Sequence, residues 1–71
     1  MIRGGKLIKL AREARGMTQD EVAEAFGVST RSVRRWEASV SEPKFFTVYS
    51  IITSVCKLTI SSVEELYLEN H

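Results

Sequence analysis

Thr30, Arg31, Ser32, Arg34 and Arg35 lie within the hexapeptide TRSVRR. Arginine presents a planar fork of donors that can pair with N7 and O6 of guanine, discriminating by about 1–3 kcal/mol per pair. Val33 and Trp36 are the apolar members of the run. On a helix they take one face, while Thr30, Arg31, Arg34 and Arg35 take the other. The polar face is a candidate DNA-reading surface; with no nucleic acid to meet, it would be a solvated basic face.

Such a surface reads a duplex only if a second element holds it at a fixed angle. The stretch 19–38, QDEVAEAFGVSTRSVRRWEA, has the required distribution. Ala23 sits inside a first short amphipathic run and lets a following helix pass close by. Gly27-Val28-Ser29 breaks the pattern, and glycine can take the positive φ that ends a helix without a Cβ clash. Val33 and Trp36 then lock the second run against the first, as a tight helix-turn-helix demands.

The net charge of +1 does not itself point to nucleic acid, but its distribution does. Residues 1–35 hold eight Lys/Arg against four Asp/Glu, whereas residues 36–71 hold two against five. The first half attracts phosphate and the second does not, which would orient the protein on a duplex.

The chain of 71 residues is expected to form one domain, with its core over about 5–68. The lone Cys56 can form no internal disulfide, has no histidine partner, and reads as a small buried apolar group. No Cys/His cluster suits zinc, and no metal or cofactor is expected. No apolar run approaches the ~20 residues of a membrane span. Met1-Ile2-Arg3-Gly4-Gly5 lacks the apolar core of a signal peptide, so a cytoplasmic protein is expected. Catalysis is not expected either: there are no paired carboxylates, no Ser/His or Cys/His arrangement and no phosphate-cradling glycine loop.

Along the chain, a first helix is predicted from about Gly5 to Arg15. Leu7, Leu10, Ala11 and Ala14 would form its inward stripe, with Lys6, Lys9 and Glu13 solvated and Gly16 as the stop. Thr18-Gln19-Asp20-Glu21 fits a capping box opening the second helix, with Met17 and Val22 as a hydrophobic staple. Val22, Ala23 and Phe26 would face the core. Ser29 or Thr30 caps the third helix, which runs to about Ala38, and Pro43 precedes the fourth. Residues 45–56, FFTVYSIITSVC, favour a strand by β-branched content. Their Val48, Ile51, Ile52 and Val55 keep helical spacing, and a helix is the preferred reading. Phe46, Tyr49, Thr53 and Cys56 would then form a second stripe needing cover, which suggests a homodimer. A last helix should begin at Ser61 or Ser62, with Glu64 and Glu65 in its first turn and Val63, Leu66 and Tyr67 packing it back. The final residue, His71, is expected to be disordered.

At Arg12, Gly16, Thr18-Gln19, Ala23, Gly27-Val28-Ser29, Val33, Trp36-Glu37, Pro43 and Ser62-Val63-Glu64-Glu65-Leu66 the sequence resembles the lambda repressor and Cro family, also called the xenobiotic-response-element family. The resemblance covers about Lys6 to Leu68. It implies an all-α, five-helix fold with the helix-turn-helix at helices 2 and 3. It places base-edge contact on Thr30, Arg31 and Arg35, with Ser29 and Ser32 beside them and Arg34 on the flank, where it could hold phosphate. Gln19 would touch phosphate and brace the reading side chains. Thr18 would cap its helix or touch phosphate, and Lys44 would hold phosphate or be solvated. The resemblance also implies a partly buried Arg12–Glu37 ion pair. The sequence departs from the family after Glu37, where Ala38-Ser39 replaces the usual pair ending in glycine. Ser39 takes positive φ less cheaply, which puts the family's phosphate contacts at Ser39 and Val40 in question.

The function implied is a sequence-specific double-stranded-DNA-binding regulator. It would resemble a phage or prophage Cro- or repressor-type protein occupying a palindromic operator as a dimer. Asp20, Glu21 and Glu24 offer an acidic surface for a polymerase contact. The alternative is an antitoxin that binds its own operator and turns its spare apolar stripe to a toxin. A third reading is a protein-interaction module whose arginines meet acidic protein.

Overall fold

The computed structural model describes residues 3–69, and among these every regular element is helical. Helix α1 spans Gly4–Ala14, α2 Gln19–Phe26, α3 Thr30–Glu37, α4 Phe45–Ser50 and α5 Ile60–Glu69. Helix α4 runs directly into a π-helical segment, Ile51–Val55. The all-α, five-helix expectation is the observed architecture. The expectation for His71 lies outside the described residues, as do those for Met1 and Ile2.

Ile8, Ala11, Val22, Ala23, Val33, Val48, Ile51, Ile52, Cys56 and Val63 form one buried cluster. Each fully buried Val or Ile side chain contributes roughly 1.5–3 kcal/mol. Helix α1 is the central rod, packing against α3, α4, the π segment and α5. Its inward face differs from the predicted stripe. Gly4, Gly5, Ile8 and Ala11 are buried, Leu7 and Leu10 only half-buried, and Ala14 exposed. The cause is Gly5. A Cβ built there would stand 1.7 Å from the Trp36 carbonyl oxygen, so the backbones of α1 and α3 nearly touch at this point. That contact rotates α1 toward its glycines, and a stripe counted from large side chains gives glycine no weight.

The helix-turn-helix closes as the sequence suggests. Thr18 Oγ1 accepts from Glu21 N at 3.1 Å, and Thr18 N donates to Glu21 Oε1 at 2.8 Å, completing the capping box. Gly27 has φ +83°, and Val28 N returns to Ala23 O at 3.0 Å. Ser29 Oγ accepts from Ser32 N at 3.2 Å and is the cap of α3. At the other end of α3, Ser39 adopts φ +60°. Val40 N donates to Arg35 O at 2.9 Å and Ser39 N to Trp36 O at 3.1 Å, the two bonds of a Schellman motif. Serine thus does the work that glycine does elsewhere, at the cost of Cβ strain. The following loop is tied to the start of α1. Glu42 Oε2 accepts from Gly4 N at 2.8 Å, and Arg3 Nε lies 3.3 Å from Glu42 Oε1.

Residues 45–55 are helical, so apolar spacing prevails over local β preference. The second stripe is only partly as expected. Phe46 and Tyr49 are exposed, but Cys56 is fully buried. Cys56 N donates to Ile51 O at 2.9 Å, five residues back. This wider turn carries Cys56 round to the Ile51–Ile52 side. Helix α5 starts at Ile60, earlier than predicted, because Thr59 Oγ1 takes the capping bond from Ser62 N at 3.1 Å. Glu64 and Glu65 therefore fall beyond the first turn, away from the helix N-terminus.

Candidate nucleic-acid interface

The candidate interface centres on α3, held by α2 on one side and α1 on the other. Val33 is fully buried and fixes the inner side. Arg31, Arg34 and Arg35 are all exposed on the outer side. Among the described residues the ion pairs are Arg3–Glu42 and Arg12–Glu37, so none of the three is committed to an internal carboxylate. Three guanidinium groups on one short rod make a local positive field that only an outside anion can answer.

Thr30 is half-buried, and its Oγ1 donates to Asp20 Oδ1 at 2.7 Å, linking the first turns of α2 and α3. Ser29 and Ser32 lie together, Oγ to Oγ at 3.1 Å, at the cap of α3. Thr18 is exposed at the α2 cap with its oxygen engaged by Glu21 N. Lys44 is exposed and belongs to a different element, as the N-cap residue of α4.

Gln19 is anchored rather than free. Its Nε2 donates to Glu37 Oε1 at 3.1 Å. Glu37 also accepts from Arg12, Nε to Oε2 at 2.8 Å and Nη2 to Oε1 at 2.9 Å. Arg12 Nη1 donates to Met17 O at 2.9 Å. The paired side chains are only 14% and 5% exposed, and this bidentate pairing raises the Arg12 pKa further above its ordinary value. The pair therefore ties α1 to the end of α3, and Gln19 adds the start of α2. Beside it runs an open groove of about 410 Å³ lined by Lys9, Arg12, Gln19, Arg34, Glu37 and Ala38. Lys9 is exposed, as expected, and lies three residues before Arg12, so it flanks the same groove.

Among the described residues no cluster of His, Cys, Asp and Glu is arranged to hold a metal, and no single helix is long and apolar enough to cross a membrane. The helix-turn-helix family model matches residues 8–53, which contain α2, α3 and the Arg12–Glu37 tie. No curated protein and no solved structure gives a match. The bracketed α3, the exposed cations and this match agree: the chain belongs to the lambda repressor/Cro-like helix-turn-helix family, a family of DNA-binding transcription regulators and not of enzymes.

Proposed function

We propose that the chain is a sequence-specific repressor of the phage Cro or repressor type, acting by occupying an operator as a homodimer. One observation carries the reading: Arg31, Arg34 and Arg35 stand exposed on the outer face of α3, outside both ion pairs. In this reading Thr30, Arg31, Ser32 and Arg35 meet base edges, as the first turns of a recognition helix do. Thr18, Gln19, Ser29, Arg34 and Lys44 meet the sugar–phosphate backbone, and Lys9 joins them across the groove. Gln19 acts through its bond to Glu37, which sets the spacing between phosphate and base contacts.

The exposed aromatic side chains support the dimer. Phe45 and Phe46 are 76% and 74% exposed, a patch that the described residues leave uncovered. The described residues measure 29 × 24 × 20 Å. Two such bodies side by side suit half-sites one DNA turn, about 34 Å, apart. Selection from a random duplex pool tests the proposal. It should return a short guanine-containing palindrome, bound with an affinity that falls steeply as salt rises. A pool that shows no enriched motif, or binding indifferent to salt, would overturn it.

A further inference from the structure

Asp20 has no role in the DNA contacts proposed so far, and a carboxylate beside a DNA-reading helix is unfavourable toward phosphate. It is exposed, it sits in the first turn of α2, and it holds the Thr30 hydroxyl at 2.7 Å. A hydroxyl has one proton and two lone pairs, and an ionised carboxylate has lone pairs only. The proton of Thr30 is spent on Asp20, and Asp20 can give nothing back. The pair therefore offers acceptors, and no donor, to anything in front of it. In the major groove guanine and thymine present acceptors, while cytosine presents its N4 amino group and adenine its N6 amino group beside the N7 acceptor.

Resting on the proposed reading of DNA by α3, we propose that Asp20 is a specificity-determining positioning residue. By taking the Thr30 proton, it makes this end of α3 read an exocyclic amino group, cytosine N4 ahead of adenine N6. Adenine ranks second because its N7 would face an acceptor. The neighbouring Arg31, a pure donor, takes the complementary part of the code and selects guanine. A carboxylate that repels phosphate is thereby useful at a base edge.

The test uses the duplex selected by the unaltered protein, with every position changed in turn to each other base. The unaltered protein should favour cytosine, then adenine, over guanine and thymine at one position per half-site by roughly tenfold. Asp20→Ala removes the acceptor and frees the Thr30 proton, so this preference should vanish or turn toward guanine and thymine. Thr30→Val should lose it too, and Thr30→Ser should keep it. A purely structural role would lower affinity equally at all positions. Full retention of the preference in Asp20→Ala, or a wild-type site in which no position separates cytosine and adenine from guanine and thymine on one strand, overturns the inference alone. A wild-type pool with no enriched motif overturns the DNA reading and the inference together.

Discussion

The Arg12 guanidinium makes three hydrogen bonds, two to Glu37 and one to the Met17 carbonyl, while almost hidden from water. Truncating it leaves the Glu37 carboxylate buried with only the Gln19 amide for company. Losing one partner of such a pair costs about 3–5 kcal/mol. Arg12→Ala should therefore lower the denaturant midpoint sharply even without DNA; an unchanged midpoint would contradict the structural role. Ser39 predicts the opposite sign. Its φ of +60° is strained for serine and open to glycine. Ser39→Gly should stabilise by about 0.5–1 kcal/mol, read as a raised melting temperature. A lowered one would show that the serine side chain contributes more than its backbone strain removes. The Arg12–Glu37 tie could be foreseen only through the family resemblance, since two charges on different helices carry no pairing signal of their own. Gly5 could not be foreseen, because close backbone approach leaves no trace in side-chain periodicity.

Among the elements, α2 and α3 were readable to within a residue because each carries its own punctuation. Thr18 and Glu21 open one, Gly27 ends it, and Ser29 opens the next. Helix α4 was less readable. Its spacing identified Val48, Ile51 and Ile52 as core, but the π turn that follows is a tertiary accommodation with no local signature. Beyond that turn Cys56 is buried, as its reading as a small apolar group implies and against its place in the second stripe, and burial pushes its thiol pKa up against the opposing pull of Arg15 and Arg12. The folded state then holds the thiol proton more tightly than the unfolded chain does. This stabilising contribution is complete below about pH 8.5, the ordinary cysteine range, and is lost as pH rises through the raised folded value. Cys56 should resist alkylation in the native protein at pH 8 and react on unfolding. Equal labelling of native and denatured protein would place it on the surface and contradict the π-turn register.

At the scale of the molecule, α3 gathers exposed arginines while α4 exposes Phe45 and Phe46, and the proposed dimeric repressor would use both. The exposed basic face of α3 was legible because its residues are polar, clustered and preceded by a recognisable turn. The exposed Phe45 and Phe46 were foreseen only in part, through Phe46 in the surplus apolar stripe. The central claim is that α3 presents three free cations to a duplex, and these have no internal partner to lose. The most direct measurement compares the protein with a variant carrying Arg31→Ala, Arg34→Ala and Arg35→Ala together, for unfolding and for binding to the selected duplex. The account predicts superimposable melting curves and a loss of affinity of about a hundredfold or more. Undiminished binding by the variant would contradict it.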